Sequence, residues 1–260
     1  MLLGRLNQIS ALLYPATCIA CQCSLAKAPK HVDDPFASNW CDDCWAQLPD
    51  SWCQGCPTCA AMIRRPLGSD GCCSLCREMA YRFEGVTSVG NYQGLLKRLV
   101  LDLKGGKNEA LSFQLGRLLG DRLRRQAEVD VESQDSPALL VPVPLHWRRR
   151  FARGFHAAGV IAEGVRATTG FAIAEVLQCQ RLTDKQGTLT GPRRFSNVKG
   201  AFQMRPLVSV DGSRVVLVDD VMTSGATLSE LAGVLKKAGA VSVRCAVLAR
   251  GTGAFKESRS

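Results

Sequence analysis

The sequence predicts an α/β protein, a parallel sheet flanked by helices, preceded by a cysteine-rich module. Three observations carry this. Val215 to Val218 is a continuous apolar run, as suits a parallel strand covered on both faces, and Leu228, Leu231, Ala232 and Leu235 follow it at helical spacing. Leu139 to Val143 repeats the buried-strand pattern. Eleven of the 13 cysteines lie in residues 1–76, and charge divides with them: residues 1–80 hold 6 Lys+Arg and 7 Asp+Glu, residues 81–260 hold 27 and 16. The expected division is therefore a cysteine-rich module over 1–80 and a basic α/β domain over 81–260.

The chain has 260 residues, 46% hydrophobic and 22% charged, the composition of a soluble globular protein. No stretch approaches the ~20 uninterrupted apolar residues of a membrane span. The first residues, MLLGRLNQISALLYPATC, are broken by Arg5, Asn7 and Gln8 and lack the layout of a signal peptide. The reading is a cytoplasmic protein without membrane insertion, opening with a short amphipathic helix that leads into Pro15.

The cysteines are spaced as C-x2-C pairs: Cys18 with Cys21, Cys41 with Cys44, Cys56 with Cys59, Cys73 with Cys76. Pairs about 20 residues apart are a zinc-ribbon spacing. Cys18, Cys21, Cys41 and Cys44 make one tetrahedral set; Cys56, Cys59, Cys73 and Cys76 make a second, in which Cys53 could replace Cys56 or Cys59. Cys23 and Cys72 are extra. Disulfides are the competing reading, disfavoured in a cytosolic chain. A tetrathiolate zinc has no open position, so both sites would be structural, stapling a segment poor in large apolar residues. Cys179 and Cys245 read as small buried apolar residues.

Val86 to Tyr92 reads as the first strand of the basic domain. Leu95, Leu96, Leu99, Val100 and Leu103 mark a helix that runs into Lys104-Gly105-Gly106-Lys107, where glycine permits close backbone approach and lysine offers a point charge; a solvated turn would look the same. Leu111, Leu115, Leu118, Leu119 and Leu123 make the next helix, and Glu128 to Pro137 a polar surface loop. After the strand at Leu139 to Val143, Arg148, Arg149, Arg150 and Arg153 alternate with Trp147, Phe151 and Phe155. Such a run can hold a nucleic-acid backbone and stack bases, clamp a pyrophosphate, or form a solvated cap over buried aromatics. A helix continues from Ala157. Arg181 to Phe202 lacks regular periodicity and reads as a polar binding loop or surface excursion. Ser209 to Gly212 is a turn, and Val241, Val243, Cys245 and Val247 alternate as a last strand.

Between Val218 and Leu228 stands the most informative segment. Asp219 and Asp220 follow the buried strand. Thr223, Ser224, Gly225, Ala226 and Thr227 then supply hydroxyls, small side chains and free backbone N–H groups where a helix begins, at about Ala226; Gly239 caps its end. A helix N-terminus at the carboxyl end of a parallel strand is a ready anion site. Lysine does not occur between Asp219 and Thr227, so this is not the nucleotide P-loop pattern. Carboxylates beside an anion site make sense where the phosphate carries a sugar whose hydroxyls they accept.

VLVDDVMTSGAT closely resembles the phosphoribosyl-pyrophosphate (PRPP) motif of type I phosphoribosyltransferases. The resemblance implies that Asp219 and Asp220 hold the ribose hydroxyls and that the loop over Val221, Met222, Thr223, Ser224, Gly225, Ala226 and Thr227 holds the 5′-phosphate. Together with the N-terminal cysteines, LVPVPLHWRRRFARGFHAAGVIA and RLTDKQGTLTGPRRFSNVKGAF, it makes nearly the whole chain similar to the ComF family, named for natural competence. Where the family pattern usually has Asn after Arg-Gly-Phe, this chain has His156. Lys104, Arg153, Gln186, Arg193 and Asn197 are the further family positions around the site. The implied fold is a type I phosphoribosyltransferase sheet with a hood over about 171–205. The implied function is Mg2+-dependent PRPP binding, with Lys104 and Arg153 neutralising pyrophosphate, in the uptake of transforming DNA. Single-stranded DNA at Trp147 and Arg148 to Arg150, and other competence proteins, would be partners. A metabolic phosphoribosyltransferase of amidophosphoribosyl or purine-salvage type, without a DNA role, is the alternative; whether the chain is catalytic stays open at this level.

Overall fold

The computed structural model describes residues 16–25, 36–48, 55–62, 72–105, 108–129, 138–146, 155–182 and 191–251. The chain forms two compact units, Met1–Asp50 and Ser51–Ser260. The expected N-terminal helix, the Trp147–Arg153 run and Gln186 lie outside the described residues.

The first unit is built on cysteines. Thr17 pairs with Ser24 across a tight turn in which Gln22 takes a left-handed φ of 61°. A short helix, α1 (Asp42–Trp45), starts directly after Cys41. Trp40 is fully buried, its ring 6.3 Å from that of Trp45.

The second unit opens with a turn of the same kind, Gly55 pairing with Met62, and helix α2 (Ser74–Met79). Strand β1 (Val86–Asn91), helices α3 (Gly94–Gly105) and α4 (Glu109–Val129), strand β2 (Leu139–Pro142), helix α5 (Ala157–Thr169) and strands β3 (Ala172–Ile173) and β4 (Leu177–Cys179) follow. Helix α6 (Gly191–Val198), strands β5 (Phe202–Met204) and β6 (Arg214–Met222), helix α7 (Ala226–Lys237) and strand β7 (Ser242–Arg250) complete it. The main sheet runs β1-β7-β6-β2-β3 with every pairing parallel. Strands β4 and β5 form a separate antiparallel pair.

Both faces of the sheet are covered, which is why its central strands read as unbroken apolar runs. Val215 and Leu217 of β6, with Val243, Cys245 and Val247 of β7, share a core with Leu228, Leu231 and Leu235 of α7. Val216 and Val218, pointing the other way, are equally buried, and α4 and α5 pack against the strands. Those two helices cross in backbone contact. A Cβ on Gly116 would stand 2.3 Å from the Ile161 carbonyl oxygen, and one on Gly164 2.2 Å from that of Phe113.

Three elements differ from the sequence reading. The helix expected to give way to a loop at Glu128 continues through Val129. The aperiodic stretch after Arg181 contains α6, whose eight residues are too few for a clear period; Val198 and Phe195 join the α7-side core. The compositional boundary near Tyr81 falls inside the second unit: Cys56, Cys59 and Cys76 sit in one core with Val86 and Leu228. Charge and cysteine density change at residue 80, but packing does not.

Candidate functional site

From β2 the chain crosses to β3 on one side, and from β6 it crosses to β7 on the other. Between β2 and β6 the direction of the crossover connections reverses, and open α/β sheets bind ligands at the carboxyl ends of strands at such a point. Val143 N–H, just past β2, still bonds Val218 O at 2.9 Å. His146, four residues past β2, is buried. His156 immediately precedes α5, and its Nε2 lies 2.9 Å from Val143 O, tying the far end of the β2–α5 connection back to the strand. That is what the residue at the family's usual Asn position does here.

Asp219 and Asp220 lie in β6 three and two residues before its end at Met222, both half-buried. Asp219 Oδ1 accepts the Asp220 N–H at 2.8 Å. Burial pushes the Cys245 thiol up, and the Asp219 charge adds to that. The chain then turns through Thr223, Ser224 and Gly225 into α7. Gly225 takes φ 75° as the residue before the helix and, being glycine, has no side chain with which to cap the first amides of α7. The Ser224 hydroxyl is buried and accepts from Ala226 N–H at 3.4 Å. At the other end Gly239, φ 92°, reverses the chain, with Ala240 N–H bonding Leu235 O at 3.1 Å.

The back of this loop is held by residues that sequence patterning missed. Arg250, at the end of β7, is 1% exposed. Its Nη1 donates to Met222 O at 3.1 Å and also to the carbonyls of Thr223 and Gly251. Its Nε donates to Cys59 O at 2.7 Å. The Tyr81 hydroxyl donates to Ser224 O at 3.0 Å, and its ring stacks on Phe83 at 4.6 Å. Burial holds the Tyr81 pKa well above that of a free phenol, so it remains a donor. Only the alternation of β7 could have hinted at Arg250, as a charge ending a strand buried along its length.

Two groups of thiols converge. Cys56, Cys59, Cys73 and Cys76 lie with all Sγ atoms within 4.8 Å of one another, as do Cys18, Cys21, Cys23 and Cys41. Among the described residues every cysteine is a free thiol. The second group is the set the spacing predicted. The first has Cys23 where the spacing put Cys44, yet the Cys44 thiol also contacts those of Cys41, Cys21 and Cys18. Comparing the two knuckles accounts for this. Cys18 N–H bonds Cys23 O and Cys56 N–H bonds Ala61 O, both at 2.8 Å; Gln22 N–H bonds Cys18 O at 2.8 Å and Ala60 N–H bonds Cys56 O at 2.7 Å. Cys41 and Cys73 each precede a short helix carrying the next cysteine. In this internal repeat Cys44 corresponds to Cys76, and Cys23 corresponds to Ala61. Cys23 is thus a thiol of the first knuckle with no counterpart in the second. The Cys23 backbone N–H, directed at Cys21, holds that thiol down at about 6; the thiolate is the form that binds metal. Burial raises Cys59 to about 11, opposed in part by the Arg250 charge. The donor chemistry of both sets fits a soft or borderline divalent metal.

Of the remaining predicted residues, Lys104 lies in the last turn of α3, its side chain outside the described part. Arg193 is exposed on α6, and Asn197 O caps that helix's end by accepting from Arg181 at 2.8 Å. Arg148, Arg149, Arg150, Trp147, Arg153 and Gln186 are not described. Among the described residues no helix is long and apolar enough to cross a membrane.

Residues 155–260 match the phosphoribosyl transferase domain family. The DNA utilization protein YhgH of Salmonella typhimurium is 30% identical over 199 residues, covering 75% of this chain and 83% of that one. Competence protein F of Haemophilus influenzae is 27% identical over 182 residues, covering 68% and 78%. Among solved structures, the glutamine PRPP amidotransferase of B. subtilis superposes at a TM-score of 0.33 with 23% identity, over 52% of this chain and 25% of that one, too loosely to carry an inference.

Proposed function

This chain belongs to the ComF family, and on that premise we propose that it binds PRPP with Mg2+ at the β6–α7 loop, in the cytoplasm, in the handling of transforming DNA. The observation that carries the reading is one strand end: Asp219 and Asp220 lie in β6 just before its end at Met222, and the chain enters α7 through a left-handed Gly225. The carboxylates would accept the ribose hydroxyls. The amides and hydroxyls of Thr223 to Thr227 would take the 5′-phosphate, with the helix dipole adding to the attraction. Lys104 and Arg153 would neutralise pyrophosphate, on which Mg2+ supplies further positive charge. If transfer occurs, these residues contribute by positioning and by stabilising charge as pyrophosphate departs.

The metal of both cysteine centres is zinc on this reading, held by Cys18, Cys21, Cys41 and Cys44 and by Cys56, Cys59, Cys73 and Cys76. Compact tetrathiol sets with free thiols, one of them against a buried guanidinium, support it. The test of the PRPP site is the double variant Asp219→Asn with Asp220→Asn. Both side chains are half-buried and keep their shape as amides, so the protein should fold while Mg2+-dependent PRPP binding is lost in a calorimetric titration. Undiminished affinity would remove the site from this loop.

A further inference from the structure

A guanidinium as deeply buried as that of Arg250 requires both hydrogen bonds and an opposite charge, because an uncompensated buried cation is costly. The acceptors are carbonyl oxygens, and besides that of the adjoining Gly251 they come from two places. Nε is held by Cys59 O, inside the second cysteine knuckle; Nη1 is held by Met222 and Thr223, in the backbone of the phosphate loop. Carbonyl dipoles satisfy the N–H groups but bring no net charge. Four thiolates around a divalent ion would, and Cys59 is one of the four thiols placed to hold one.

The knuckle and the loop are joined elsewhere too. Two residues past the end of α2 at Met79, the chain meets the start of α7: Tyr81 donates to Ser224 O, Arg82 N–H donates to Ser229 Oγ at 3.2 Å, and Arg82 pairs with Glu230 at 3.3 Å. On the other side Val86 N–H reaches Pro57 O at 3.4 Å, seating the knuckle on β1.

We propose that Arg250 is a positioning residue that carries metal occupancy of the Cys56–Cys59–Cys73–Cys76 centre to the Met222–Thr227 backbone, so that this loop is held in its binding shape only when the centre is loaded. Losing the metal removes the charge that compensates Arg250 and frees the turn that presents Cys59 O; the guanidinium then no longer pins the loop. That the loop's ligand is PRPP rests on the function proposed above; the coupling itself does not.

The experiment uses full-length, zinc-loaded protein and three variants: Arg250→Lys, Cys73→Ser and Tyr81→Phe. Hydrogen exchange is followed at the Met222–Thr227 amides against those of α4, together with Mg2+–PRPP titration and zinc transfer to a chromogenic chelator with and without PRPP. Coupling between two sites is reciprocal. PRPP should therefore slow release of one zinc about tenfold, and Cys73→Ser should weaken PRPP by a similar factor, the size expected when hydrogen bonds to a buried charge are lost. Arg250→Lys retains all eight thiols and its zinc, exchanges faster at the loop but not in α4, and shows zinc release that no longer responds to PRPP. A purely structural role would lower overall stability without abolishing that response. Wild-type protein that binds PRPP but releases zinc at a PRPP-independent rate overturns the coupling. Wild-type protein that binds no PRPP overturns the proposed ligand instead, and loop exchange then decides the coupling alone: unchanged exchange in Cys73→Ser or Arg250→Lys refutes it. Should Arg250→Lys not fold, Tyr81→Phe, which deletes a single donor to Ser224 O, must still speed loop exchange locally, and unchanged exchange there refutes the coupling as well.

Discussion

Gly225 and Gly170 offer a controlled pair for testing how the β6–α7 loop is packed. Both have φ 75°, and each flanks a helix, Gly225 before α7 and Gly170 after α5. A Cβ on Gly170 would meet nothing within 4 Å, whereas one on Gly225 would stand 2.7 Å from Met222 Cε and 2.7 Å from Tyr81 Cε1. Gly170→Ala thus carries the left-handed backbone cost alone, about 1–2 kcal/mol. Gly225→Ala carries that cost plus displacement of a core methionine that is 1% exposed and of a ring anchored to Ser224 and stacked on Phe83, about 1–3 kcal/mol of overpacking. The sums are about 1–2 against about 2–5 kcal/mol. At about 2–4 °C per kcal/mol for a unit of this size, the melting temperature should fall by about 2–8 °C for Gly170→Ala and by about 4–20 °C for Gly225→Ala. Circular dichroism melts of both variants, read as a difference, remove the shared backbone cost. PRPP affinity should drop in Gly225→Ala and hold in Gly170→Ala. Equal melting temperatures, or a Gly225→Ala protein with wild-type affinity, would refute the described packing of Tyr81 and Met222 against the loop.

Metal analysis of protein prepared without chelator should find about two zinc ions, with Cys73→Ser and Cys18→Ser each losing one; since such metal binding is folding free energy, each loss should open its own knuckle to proteolysis first. At the first knuckle the internal repeat makes Cys44 the ligand and Cys23 the spare, so Cys44→Ser should release zinc to a chelator far faster than Cys23→Ser, and the reverse order would assign the ligand to Cys23. If Arg148, Arg149 and Arg150 contact three phosphates of single-stranded DNA, replacing them with alanine should reduce the log–log salt slope of binding by about 2, while Trp147→Ala should weaken binding by ~1–3 kcal/mol through lost stacking with little change in slope. A triple variant that loses PRPP binding and keeps its DNA slope would move these arginines to the pyrophosphate.

Much of this protein is written locally in its sequence. The β6–loop–α7 segment is legible because each part is a short-range pattern: a double-sided apolar run, two acids, small hydroxylated residues, then a helical period that closes at Gly239. The cysteine pairs are equally local, since ligand spacing reflects the size of one turn. Other features depend on what lies across the fold. That Gly116 and Gly164 mark a helix crossing follows from α4 and α5 meeting face to face, which no single helix period encodes. Helix α6 hid in a polar stretch because two turns are too short to show amphipathicity. The second knuckle looked like part of an N-terminal module because composition is averaged along the chain, whereas burial is decided in space, and there Cys56, Cys59 and Cys76 pack beneath β1 and α7. Cys23 entered the first thiol group because a left-handed Gln22 folds the chain back on itself. Arg250 is the clearest case: in sequence it is one arginine after eight strand residues, and only the parallel register sets it beside Met222 with the Cys59 carbonyl behind, so that it bonds both the second cysteine knuckle and the β6–α7 loop. Hydrogen bonds spanning 191 residues have no signature in a local window, because the energy that places them belongs to the assembled sheet.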